Sequence, residues 1–96
     1  MNPANYLPVP AKGQVVSVTT TSAQSSAFAA STFAAWVTAD TSGVFIEVGS
    51  DPTATTTTSM YLTKDWPYFL KVPHGGKIAA IVASSTANLY ISEATQ

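Results

Sequence analysis

Cysteine and arginine are both missing from this 96-residue chain, and charge of either sign is scarce. Without cysteine there is neither a disulfide framework nor a thiolate metal site. The single histidine, His74, cannot supply a histidine-based metal cluster. Charged residues make up 9% of the chain, where about 25% is usual, and the net charge is −1. Lysines without arginine cannot build the phosphate-neutralising surface that nucleic-acid binding needs. The opening Met1-Asn2-Pro3-Ala4-Asn5 has no positive region and no apolar core, so no secretory signal is expected. The least polar stretch, residues 27–39, is broken by Ser31, Thr32 and Thr38 and is too short to span a bilayer. The expectation is a protein made in a cytoplasm, with no cofactor, no metal, no nucleic acid and no membrane among its partners.

What fills the space is small and hydroxylated: 14 Thr, 11 Ser and 15 Ala, within a hydrophobic share of 46%. A chain of this length buries roughly 65% of its unfolded surface, enough for one thin core. Residues 1–12 hold Pro3, Pro8 and Pro10 around Tyr6, Leu7 and Val9. Each proline lacks a donor and pushes its predecessor toward extended geometry, which predicts an extended arm outside the core. Residues 13–96 then form the folded domain.

In that domain, 14–21 is β-branched, with Val16 and Val18 on one face. Residues 22–32 are small and admit either a loop or a short strand. Residues 33–39 read as a strand ending at Asp40-Thr41-Ser42-Gly43, with a helix over 27–37 as the competing reading. Val44, Ile46 and Val48 alternate with Phe45 and Glu47, and Gly49-Ser50-Asp51-Pro52 closes that strand. The Thr-rich segment 53–58 predicts a loop unable to order itself. Further strands follow at 59–63, 68–72, 77–83 and 88–92, with Pro73-His74-Gly75-Gly76 the strongest turn. Seven or eight short antiparallel strands with no helix predict an all-β fold, a small jelly-roll-like sandwich or barrel. The expected inward set is Val16, Val18, Phe33, Val37, Val44, Ile46, Val48, Met60, Leu62, Phe69, Ile78, Ile81, Leu89 and Ile91.

Residues that carry chemistry are few. Asp40, Asp51 and Asp65 sit where turn hydrogen bonds account for them, and Glu47 lies opposite an apolar face. Paired carboxylates in a cleft, as a glycosidase requires, are not indicated. His74 has no oriented serine and acid beside it in the sequence, and Gly75-Gly76 is too short for a phosphate loop. No enzyme activity is therefore expected. Tyr6, Tyr61, Trp66 and Tyr68 admit an aromatic platform for sugars, with Trp36 and Trp66 equally readable as core and turn plugs.

From Val15 to Glu93 the chain resembles small virion proteins of tailed bacteriophages. The likeness lies in Val16-Ser17-Val18-Thr19-Thr20-Thr21-Ser22, in Trp36-Val37-Thr38-Ala39-Asp40 and in Ile46-Glu47-Val48-Gly49-Ser50-Asp51-Pro52-Thr53-Ala54. It continues in Ser59-Met60-Tyr61-Leu62, in Tyr68-Phe69, in Val72-Pro73-His74-Gly75-Gly76-Lys77-Ile78-Ala79 and in Leu89-Tyr90-Ile91-Ser92-Glu93. The resemblance implies a structural virion part. A capsid decoration protein bound to major capsid protein and to its own copies is the leading expectation, with a neck, fibre or tail component second. A carbohydrate-binding module is the competitor from another class. Tyr6, Leu7 and Val9 on the arm, with Trp66 and Tyr68, are the expected partner contacts.

Overall fold

The computed structural model describes residues 9–95, and every regular element in them is a strand. In chain order these are β1 (Val9–Val18), β2 (Ala23–Gln24), β3 (Ala34–Asp40), β4 (Val44–Gly49), β5 (Met60–Leu62), β6 (Tyr68–Lys71), β7 (Lys77–Ile81) and β8 (Ala87–Thr95). They form two four-stranded antiparallel sheets, one ordered β1-β8-β3-β6 and the other β2-β7-β4-β5. The pairs β1/β8, β2/β7, β3/β6 and β4/β5 are those of one long antiparallel hairpin. Pairing of β3 with β8 and of β4 with β7 rolls that hairpin into a two-layer sandwich, which is jelly-roll topology. Every connection except β4–β5 crosses from one sheet to the other.

Alternation along the strands fills the space between the sheets. Val16 and Val18 of β1, Ala35, Val37 and Ala39 of β3, and Leu89 and Ile91 of β8 face Val44 and Ile46 of β4 and Ile78 and Ala80 of β7. Leu62, Val72 and Val82 join them from strand ends, and Phe28 plugs one side from the β2–β3 loop. Alanine is frequent here because thin layers of short strands leave room for little more than a methyl between larger side chains.

Three residues expected inside are not part of this core. Met60 and Phe69 are each 48% exposed, and Ile81 is half-buried beside Phe45 on the outer face. In 68–72 the inward residues are Tyr68, Leu70 and Val72, so the whole run stands one residue out of the expected phase. Phe33 and Val48 are half-buried, the latter against the core. The first strand also begins at Val9 instead of within 14–21, with Val9 opposite Thr95 and Pro10 opposite Ala94. Register shifts between Pro10 and Gly13. Proline is accommodated because β1 is an edge strand, where a missing donor costs no ladder bond. Residues 1–8 of the expected arm lie outside the described residues.

The Thr-rich loop is also better tied than its composition predicted. Ala54 is buried and its N–H donates to Ser22 Oγ at 2.9 Å. Thr58 N–H donates to Thr55 Oγ1 at 3.1 Å, Thr55 N–H to Ser59 Oγ at 2.9 Å, and Ser59 Oγ–H to Glu47 Oε1 at 3.0 Å. Hydroxyls that compete poorly in a core serve well here as local backbone acceptors.

Candidate functional site

The strand alternation that buries one set of side chains holds the other set out in water. On the β1-β8-β3-β6 sheet the outward row Val15–Tyr90–Thr38 lies next to the row Ser92–Trp36–Phe69. Val15 is 56% exposed and Tyr90 43%. Trp36 and Phe69 meet as a tilted aromatic pair with centroids 4.7 Å apart. The opposite sheet carries a smaller band, Tyr61–Phe45–Ile81, in which Phe45 and Tyr61 stand 5.0 Å apart. Surface patches of this kind on rigid strands mark contact sites more often than isolated exposed residues do.

Polar groups frame the first band. Tyr90 donates its hydroxyl to Asp40 Oδ2 at 3.0 Å. That bond holds the Asp40 carboxyl below its usual range and, with the nearby negative charge, pushes the Tyr90 phenol up. Lys71 stands at the other end of this face, opposite Ala34 in the ladder.

Between the edges of β5 and β6 the two sheets part over a cleft of about 430 Å³, floored by Ile46, Val48, Met60 and Leu70 and flanked by Glu47 and Lys71. On the opposite side the edges are sewn together. Gln14 of β1 bonds both backbone groups of Ser26, accepting from its N–H at 2.9 Å and donating to its carbonyl at 3.4 Å. Ser25 and Phe28 donate backbone N–H groups to Ile78 and Gly76, each at 2.8 Å, extending the pairing of β2 along β7.

Of the residues expected to contact partners, Trp66 is 63% exposed in the turn before β6, the most open large hydrophobic side chain among the described residues. Tyr68 packs against the core, and hydrogen bonding with the Thr63 side chain, together with the Thr63 N–H that its phenol oxygen accepts at 3.1 Å, lowers its pKa. Val9 is the first residue of β1, and Tyr6 and Leu7 lie outside the described residues. Tyr61, Trp66 and Tyr68 do not share one face: Tyr61 is on the other sheet and Tyr68 points inward. The band of Val15, Tyr90, Trp36 and Phe69 was missed, although opposite parity to the buried valines and leucines was the available signal.

Glu93 is the acid that sequence reasoning passed over. It is 1% exposed at the end of β8, where Oε1 accepts Thr32 Oγ1–H at 2.6 Å and the Ala29 N–H at 3.0 Å. His74 donates from Nδ1 to the Ala30 carbonyl, so both groups anchor the loop ahead of β3. Among the described residues no three His, Cys, Asp or Glu side chains gather as a metal site, and no helix is long and apolar enough to cross a membrane. No protein-family model, curated protein or solved structure matches this chain.

Proposed function

We propose that this chain is a non-enzymatic structural protein of a tailed-phage virion, a capsid decoration protein that binds major capsid protein and neighbouring copies. The observation that carries the reading is the pair of aromatic bands held on the outer sheet faces of a small, nearly uncharged sandwich. Such faces bury apolar area on contact at little entropic cost, since the side chains are already fixed by strand geometry. Jelly rolls also recur in viral capsid domains, which supports the reading by analogy of fold. The groups most able to do acid–base chemistry are committed to structure, Glu93 to Thr32 and Ala29 and His74 to Ala30.

Stoichiometry in purified particles tests this. A copy number comparable with that of the major capsid protein is the expected result. A few copies per particle would move the protein to a neck, fibre or tail position. Absence from particles, together with saturable binding in a glycan titration, would replace the proposal with a carbohydrate-binding module.

A further inference from the structure

Edge strand β6 leaves part of its hydrogen-bonding capacity unused. Val72 donates its N–H to the Phe33 carbonyl at 3.0 Å, and the same register pairs Leu70 with Ala35 and Tyr68 with Val37. In an antiparallel ladder alternate pairs exchange hydrogen bonds, so these three residues turn their backbone groups toward β3. Phe69 and Lys71 turn theirs away from the sheet, and among the described residues nothing pairs with them. Strand β5, across the cleft, is shorter, and the Thr63 N–H that follows it is taken by Tyr68.

The side chains beneath this edge are also unfinished. Met60 stands opposite Ile46 and Leu70 opposite Ala35, both at core-facing positions. Yet Met60 is 48% exposed and Leu70 half-buried, because the cleft opens over them. One more strand on β6 would satisfy the backbone groups of Phe69 and Lys71 and roof the cleft with its inward side chains.

We infer that the added strand is Asn5-Tyr6-Leu7-Pro8 of a second copy. Residues 1–8 carry no charged side chain, so none is forced against Ile46 and Val48, while Glu47 and Lys71 stay exposed at the rim. Proline fixes the phase. Phe69 and Lys71 each need a partner with an N–H, which Pro8 lacks, so Leu7 and Asn5 take those places and Pro8 faces away. Run antiparallel to β6, the segment sets Leu7 beside Phe69, extending the Trp36–Phe69 band, and Tyr6 inward over Leu70 and Met60. Distance makes the donor another molecule. The added strand lies four strand spacings from β1 of its own sheet, about 19 Å, whereas Tyr6 is three residues ahead of Val9 and reaches at most about 11 Å.

Two residues of ladder and one roofing aromatic make a weak contact, which gains from high local concentration. The inference concerns contact between copies alone, so the purified chain decides it whatever its place in a particle.

Sedimentation equilibrium of the full chain, taken up to about 1 mM, tests it, with concentration-dependent self-association as the expected result. Tyr6→Asp spoils the donor segment. Lys71→Pro removes an edge N–H that no ladder bond uses, so the circular dichroism spectrum should stay that of the parent. Each change alone should weaken association at least about tenfold. A mixture of the two variants should form a pair tighter than either makes with itself, since one keeps an intact edge and the other an intact segment. A peptide of residues 1–8 added to the Tyr6→Asp chain gives a separate reading. It should move the backbone amide resonances of Phe69 and Lys71, and a peptide with Leu7 and Pro8 exchanged should not. A chain that is monomeric at every concentration overturns the inference. So does association indifferent to both changes, a mixture no tighter than either variant alone, or a peptide that moves β1 or β5 in place of β6.

Discussion

The two sides of the sandwich solve the same problem differently. Along β1 and β2 the sheet edges are closed by hydrogen bonds: Gln14 to Ser26, Ser25 and Phe28 to the β7 side, and Gln24 Nε2 to both Asp51 Oδ1 and the Pro52 carbonyl at 2.8 Å. Along β5 and β6 the edge strands are three and four residues long, and a cleft lies between them. There the ties are an isolated bridge of Lys64 to Ala39 and the Thr63–Tyr68 bond. Short edge strands limit unwanted pairing with other chains, whereas a sewn edge removes the exposed donors altogether. One side is thus built for cohesion, and the other leaves apolar side chains accessible.

Two phenylalanines test that contrast most strongly. Phe28 is 3% exposed on the closed side, so Phe28→Ala should cost about 3–5 kcal/mol through the cavity it leaves. Phe69→Ala, on the open side, should cost under about 1.5 kcal/mol, mostly its contact with Trp36. Denaturant titration of both variants checks this, and similar midpoints would erase the distinction. The two glutamates come next. Glu93→Ala leaves the buried Thr32 hydroxyl without its acceptor and frees the part-buried Ala29 N–H, and should cost about 1–3 kcal/mol. Glu47→Ala, an exposed residue, should stay within about 0.5 kcal/mol of the parent.

Amide exchange gives a finer measure. Backbone amides of β5 and β6 should exchange ahead of those of β8 and β3, which lie in the interior of their sheet. Equal protection would mean that the open side is as cohesive as the sewn one.

The smallest effect is in the tyrosines. By ultraviolet titration Tyr68 should ionise below the ordinary phenol range and Tyr90 above it. The raised Tyr90 value means that its bond to Asp40 stabilises the fold below the ordinary phenol range and is lost as pH rises through the folded value. The lowered Asp40 value means that the same bond helps above the ordinary carboxylate range and is lost as pH falls through the folded value. Tyr90→Phe should remove the high-pH dependence and weaken the low-pH one, since Asn88 and Thr41 also hold the Asp40 carboxyl down. An unchanged pH profile would show the bond to be idle.

By itself the sequence determined the class of structure. Strict alternation at Val44–Val48, β-branched residues at 15–18 and turn chemistry at Pro73–Gly76 each act locally, within the reach of neighbouring residues. They dictate strand and turn wherever the chain goes. Most of the buried set was legible for the same reason: Val16, Val18, Val37, Val44, Ile46, Leu62, Ile78, Leu89 and Ile91 are all inside. Tertiary structure decided the rest. The run 68–72 is apolar at nearly every position, so its phase was set only when β6 paired with β3 and brought Phe69 beside Trp36. The burial of Glu93 depended on a loop more than sixty residues earlier supplying Thr32 and Ala29. Met60 stays exposed because it lines the cleft where the two sheets part between β5 and β6. The same holds for the candidate site. Val15, Trp36, Phe69 and Tyr90 come from four different strands, and only the rolled order β1-β8-β3-β6 places them on one face, because side-chain neighbours in a sheet are fixed by pairing and not by distance along the chain.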